Sequence, residues 1–143
     1  MSETTKRSET TKVSETTKRE AVRNLSALFT PKEHDHGGVG TILAHRVFAR
    51  RSGGRGAEFV DVAVLPPGTS IGRHRHGADQ ETYIVLDGAG VMFRDGQEFR
   101  VAAGDVIVNR PFGEHGLVND GSEDLRLLVF EEPQEHEAEE ACS

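Results

Sequence analysis

From residue 38 to about residue 131, short apolar runs alternate with glycine, proline, aspartate and asparagine. The runs are about four to eight residues long and rich in Val, Ile, Leu and Phe, as in EFVDVAVL and TYIVL. Runs of that length with turn signals between them predict an all-β sandwich or barrel. The Asp-Gly pairs at 87–88 and 95–96 each lie between apolar runs, and both predict tight hairpins, because both central residues tolerate positive φ. Almost no room is left for helix between residues 40 and 130. Ahead of this region Val22, Leu25, Leu28 and Phe29 recur near helical spacing. They predict a short amphipathic helix over 19–30, able to dock on the domain or on a second subunit.

The two ends have a different texture. SETTKR, SETTKV and SETTKR follow one another at 2–7, 8–13 and 14–19, a period that offers neither a heptad nor a solenoid a face to bury. Residues 1–37 are therefore read as a low-complexity, disordered N-terminal arm, 38–133 as one barrel domain and 134–143 as a disordered acidic tail. A chain of 143 residues suits one core. Its 35% apolar content, its lack of tryptophan and a mean hydropathy of −0.50 describe a modest core with polar extensions.

The net charge of −7 is unevenly spread. Residues 131–143 hold six glutamates and no Lys or Arg, while 31–130 carry 11 basic and 14 acidic residues. A near-neutral body argues against nucleic acid as a partner, since that needs a clustered basic surface. No run approaches the roughly 18 apolar residues of a membrane helix, and the polar start lacks a secretory apolar stretch, so no membrane partner and a cytoplasmic location are expected. The single cysteine, Cys142, permits no intrachain disulfide and no CxxC site.

The stretch GRHRHGADQE, residues 72–81, carries the chemistry. In a strand, residues two apart face the same way, so His74 and His76 project from one face and Arg73 and Arg75 from the other. Two neutral imidazoles on one inward face can reach a common ion at roughly 2.0–2.2 Å. After a small polar bend Glu81 opens the next strand, with Tyr83 and Val85 on its side. His115, in PFGEHGLVN, supplies a further donor from far along the chain. Three nitrogens and a carboxylate oxygen suit iron, manganese, nickel, cobalt, copper or zinc, and leave positions open for other ligands.

These residues resemble a known family. GTSIGRHRHGADQETYIVLDG, residues 68–88, matches every fixed position of the first motif of the cupin superfamily: Gly, five residues, His-x-His, four residues, Glu, six residues, Gly. GDVIVNRPFGEHGLVN, residues 104–119, is similar to the second motif through Gly104, Pro111, His115 and Asn119, although Pro111 and Gly113 stand one residue nearer to His115 than usual. The resemblance, to small single-domain bacterial cupins, implies a double-stranded β-helix, or jelly-roll barrel. It also implies one divalent transition metal per chain on His74, His76, Glu81 and His115.

The remaining polar residues are weighed around that site. Tyr83 shares parity with Glu81 and could donate a hydrogen bond to a substrate, so Tyr83 and Glu81 are the candidate catalytic residues. Gln80, Asp79 and Asn109 are candidates to fix the far nitrogens of the ligating histidines. His34 and His36 repeat the two-apart spacing but are expected to be exposed arm histidines, and His45 a packed or surface one. Phe93, Phe99, Leu117, Leu128 and Phe130 could line the cavity, Arg110 and Arg126 are expected to face outward, and Asn119 to satisfy backbone groups. The apolar inward positions favour a neutral or aromatic substrate.

Three functions suit such a site. The leading one is a metal-dependent enzyme on a small organic metabolite, dioxygenase-like, with substrate and dioxygen bound side by side. The second is a non-redox cyclase, isomerase, lyase or decarboxylase that uses the ion as a Lewis acid, and the third a ligand-binding or sensing module without turnover. By analogy with small cupins a homodimer is expected, with GTILAHRVFAR as an exchanged arm.

Overall fold

The structure, a computed structural model, describes residues 21–49 and 59–133. The SETTK repeats, the acidic tail and Cys142 lie outside the described residues. The described residues form ten strands: β1 Thr30–Glu33, β2 Thr41–Ala49, β3 Phe59–Leu65, β4 Ser70–Arg75, β5 Asp79–Asp87, β6 Ala89–Arg94, β7 Gln97–Ala102, β8 Val106–Asn109, β9 Glu114–Val118 and β10 Leu125–Pro133. They form two antiparallel sheets, one of six strands in the order β1-β2-β3-β10-β5-β8 and one of four in the order β4-β9-β6-β7. From β3 onward every connection except β6–β7 carries the chain from one sheet to the other. That winding is the double-stranded β-helix. Among the described residues no helix is long and apolar enough to cross a membrane.

The two Asp-Gly pairs behave differently. Asp95 (φ 49°) and Gly96 (φ 79°) join β6 to β7 in the expected hairpin. Gly88 (φ 82°) instead turns a corner between the sheets, from β5 to β6. A Cβ there would stand 2.4 Å from the Asp124 carbonyl oxygen, so this corner is closed by packing as well as by backbone conformation.

Cross-strand register on the inner face of the larger sheet places the site. One row sets Ala44, Ala63, Leu127 and Val85 side by side, and the next Arg46, Asp61, Val129, Tyr83 and Ile107. A third holds Phe59, Glu131, Glu81 and Asn109. The apolar end, with Leu65, Leu125 and Leu127 wholly buried, is the core, and each such leucine is worth roughly 1.5–3 kcal/mol. The opposite end gathers ionisable groups inside the same barrel.

Several expectations are corrected. Within its described part the segment 19–30 is not an amphipathic helix. Asn24 is extended, and its Oδ1 accepts from the Ser26 N–H at 2.9 Å, capping a single 3-10 turn over Leu25–Ala27 before the chain enters β1 at Thr30. Val22, Leu25 and Leu28 still dock on the domain. With His45, Val47, Val60, Val62 and Leu128 they line an apolar cavity of about 490 Å³ on the outer side of the larger sheet. The sheet begins at Thr30 rather than 38, because β1 pairs with β2 and β2 with β3 of the same chain. Of the apolar residues proposed to line the interior only Leu117 does so in the core. Leu128 and Phe130 alternate with inward Leu127 and Val129, Phe99 is exposed, and Phe93 lies beneath the Arg73 guanidinium at 3.9 Å.

Candidate metal centre

The four expected donors meet. β4 and β9 are neighbours in the smaller sheet, with His74 opposite His115, and β5 brings Glu81 from the larger one. The β4–β9 register shifts between Ile71 and His74, and such a bulge re-aims the side chains after it. His74 Nε2 lies 3.1 Å from His76 Nε2, His76 Nε2 3.3 Å from Glu81 Oε1, and His115 Nε2 2.9 Å from the same oxygen. All four ligand atoms fall within 4.8 Å of one another. His115 and Glu81 are buried, His74 and His76 half-buried.

The chemistry of this set fits a cation. Donors about 2.1 Å from one ion, at octahedral or tetrahedral angles, lie about 3.0–3.4 Å apart, close to the separations found here. His74 Nδ1 is 2.8 Å from the Gly72 carbonyl oxygen. That oxygen can only accept, so Nδ1 carries the hydrogen and Nε2 turns its lone pair toward the centre. Burial, opposed by the Gly72 bond and aided by the other imidazoles, lowers the His74 pKa to about 4, which keeps the ring neutral. The hydrogen bond to Glu81 outweighs burial at His76 and raises its pKa. At Glu81 burial pushes the carboxyl up, but the combined hydrogen bonds from His115 and His76 prevail and hold it below the usual carboxylate range.

Around the donors the structure differs from expectation in informative ways. Tyr83 is buried, lines the central cavity and sets its ring edge-on to His115 at 5.3 Å. Burial first, and then the Glu81 carboxylate, push its pKa well above 10. Behind His76 stands a residue that sequence reasoning missed, Glu131, whose carboxylate lies 3.8 Å from His76 Nδ1. Burial first and then a hydrogen bond with Asp79 raise Glu131 to about 8. Only the register of β10 against β5, which sets Glu131 opposite Glu81, reveals this neighbour. Of the other candidates for that role, Asn109 is buried with neither amide atom partnered among the described residues, as is His115 Nδ1.

The central cavity holds about 80 Å³ and is lined by Glu81 and Tyr83, and also by Asp35, His36, Lys32 and Arg46. The two cations correct the expectation of mainly apolar inward positions without lysine or arginine among them. Arg46 makes two bonds to Asp61, at 2.8 and 3.1 Å, and stacks over Phe59 at 4.2 Å; Lys32 pairs with buried Asp35 at 2.8 Å. His36 is exposed as expected, and its ring also lies parallel to that of His74 at 3.7 Å. His34 turns aside, with Nδ1 3.1 Å from the Gly38 carbonyl oxygen. His45 is half-buried against the outer apolar cavity, and Arg110 and Arg126 are exposed as expected. Asn119 is wholly buried. Its Nδ2 donates to the Leu65 and Glu123 carbonyls at 2.8 Å, and its Oδ1 accepts from Gly121.

The altered spacing before His115 also has a structural form. Phe112, exposed, takes φ 62°, a left-handed conformation that glycine adopts more readily. Its N–H donates to the Gly77 carbonyl at 2.8 Å and its carbonyl accepts from Arg75 at 2.6 Å, which ties the β8–β9 turn to the end of β4.

Comparison with known proteins bears on this arrangement. The family model for the cupin domain matches residues 61–131. An oxalate-binding protein from Thermotoga maritima is 32% identical over 93 residues, covering 65% of this chain and 77% of that protein. A crystal structure from Thermotoga maritima, of a predicted oxalate decarboxylase, superposes with a TM-score of 0.71 at 27% identity, covering 74% of this chain and 92% of the other. A conserved barrel domain protein from Salinispora arenicola shares the fold with a TM-score of 0.64 at 22% identity, over 85% of this chain and 95% of the other.

Proposed function

This chain belongs to the cupin family, and from that membership we propose that it holds one divalent transition ion on His74, His76, Glu81 and His115 and acts on a small organic acid. Oxalate is the first candidate. The observation that carries this reading is the central cavity, which meets the cluster at Glu81, holds about 80 Å³ and has Lys32 and Arg46 in its lining. Pockets that enclose drug-sized ligands measure roughly 300–1,000 Å³, so size favours a molecule of a few heavy atoms over an aromatic one. The names of the Thermotoga maritima relatives support an acid of that size.

An ion bound there supplies a Lewis-acidic centre with open positions for substrate oxygens. The chain's own groups divide the remaining work. Arg46, fixed in plane by Asp61 and Phe59, and Lys32, paired with Asp35, keep N–H donors in the cavity lining that a carboxylate can share. The Tyr83 phenol, held protonated by burial and by Glu81, gives a hydrogen bond and keeps its proton. Glu81, held below its ordinary range, is too weak a base to take a proton from substrate, and its part is to hold the ion. Ala44 and Ala63 give the cavity an apolar side, next to wholly buried Leu127.

Decarboxylation, in which the oxalate monoanion gives carbon dioxide and formate, is the reaction that the name of the Thermotoga maritima crystal structure favours, while the name of the oxalate-binding relative speaks of binding alone. The dioxygenase reading uses the same centre and differs in consuming oxygen. Metal analysis of full-length protein purified without chelator should give near one transition ion per chain. Oxalate titrated into that protein should bind, with formate appearing and no stoichiometric oxygen uptake. Stoichiometric oxygen uptake would transfer the assignment to a dioxygenase, and binding without any product to a binding module. Absence of both metal and oxalate binding sinks the proposal.

A further inference from the structure

We propose that His36 is a substrate-positioning residue of this centre, whose imidazole hydrogen-bonds the organic acid held at the ion and favours acids as short as oxalate. The inference rests on the organic-acid reading above. His36 lines the cavity together with Glu81 and Tyr83, and its ring lies face to face with that of His74 at 3.7 Å and 11°. It is not one of the four converging ligands. It stands beside them, exposed, with its ring against that of His74.

The backbone that holds it there is strained. His34 (φ 48°) and His36 (φ 50°) both occupy the left-handed region, which places Cβ too near a carbonyl oxygen in any residue but glycine. Such conformations persist where the surroundings fix them, and they gather at functional sites. Here the fixing is done by contact with β4. A Cβ on Gly72 would stand 2.1 Å from the His36 carbonyl oxygen, and one on Gly38 2.2 Å from that of Ser70. Ser70 Oγ accepts from the Val39 N–H at 2.8 Å, and the Ser70 N–H donates to the Val39 carbonyl at 3.0 Å. Asp35, buried beside His36, is anchored by Lys32.

Gly72 therefore serves two histidines. Its carbonyl orients His74, and its bare Cα lets the His36 backbone lie against β4. The two rings keep one fixed relation, as a donor aimed at a ligand on the ion requires. An acid bound on the open side of the ion presents carboxylate oxygens to the cavity. His36 and Tyr83 are, with Lys32 and Arg46, the side chains in its lining that can donate a hydrogen bond.

The test is calorimetric titration of oxalate and malonate into full-length, manganese-loaded wild-type, His36→Ala, His36→Phe and His36→Gln proteins. Metal content and the visible spectrum of the cobalt-substituted forms are read in parallel. Expected are one ion per chain in every variant, oxalate binding weakened at least tenfold in Ala and Phe, partial recovery in Gln, and a smaller loss for malonate than for oxalate. Oxalate binding at the wild-type level in all three variants, or full recovery in Phe, overturns the role while leaving the organic-acid reading in place. Loss of metal from His36→Ala also overturns it, because His36 would then be supporting a ligand. A wild-type protein that binds neither acid removes the organic-acid reading and this inference with it.

Discussion

Two His-x-His pairs occur in this chain, and their fates differ. His74 and His76 belong to a strand and its immediate end, where a period of two sends both rings to the same side, and their Nε2 atoms approach to 3.1 Å. His34 and His36 belong to a loop in which both backbones are left-handed, and there one ring turns to the Gly38 carbonyl while the other covers His74. Spacing in sequence thus acquires chemical meaning only through the period of the element that carries it. The strand pair converges because extended backbone needs no special support. The loop pair diverges, and the member that reaches the site does so through close backbone contact with β4.

The largest effect should come from breaking the strand pair. His76→Ala is expected to lower bound metal from near one ion per chain to near zero, read by elemental analysis, with the far-ultraviolet circular dichroism of the barrel unchanged. Next comes the contact that holds the loop pair. Gly72→Ala places a methyl group 2.1 Å from the His36 carbonyl oxygen, and overpacking of that kind costs about 1–3 kcal/mol, measurable by denaturant melts. A loss below that range would show that the loop lies more loosely on β4 than the comparison requires.

A smaller effect should distinguish the surroundings of His76. Glu131, raised to about 8 by burial, by Asp79 and by Glu81, binds its proton more tightly in the folded than in the unfolded chain. The resulting stability is complete below the ordinary carboxylate range, and is lost as pH climbs through 8. Metal-free Glu131→Gln should therefore lose less of its melting temperature than wild type between pH 5 and 9, and an unchanged slope would count against the raised Glu131. The smallest effect is expected at His34. His34→Ala should leave metal content and oxalate affinity within twofold of wild type, and a larger loss would erase the distinction between the members of the loop pair.

Much of the site could be read in advance, because its donors sit where local rules hold. His74, His76, Glu81 and Tyr83 lie on or beside two strands joined by a short bend, so period-two reasoning places them without knowledge of the sheet order. What escaped depends on long-range pairing. Glu131 stands behind His76 because β10 inserts between β3 and β5, and Arg46 enters the cavity because β2 continues the same sheet. The inward faces of β10 were equally hidden, since LRLLVF is apolar on both sides and alternation cannot say which side faces in. The hairpin at Asp95-Gly96 was legible and the corner at Asp87-Gly88 was not. A tight turn specifies a reversal of the chain, while the sheet that accepts the returning strand is decided by packing. Phe112 shows the same limit, as its left-handed turn is invisible until the loop is seen tied to Gly77 and Arg75.

The placement of the donors on two layers has a mechanical side. Three imidazoles rise from β4 and its end and from β9, and the lone carboxylate from β5 in the opposite sheet, so a bound ion would rivet the two leaves of the barrel together at its charged end. The apolar core already holds the other end. Loading and unloading such a rivet would change how readily the leaves part, and backbone amides of β5 and β9 would exchange their hydrogens in step when it is present and separately when it is not.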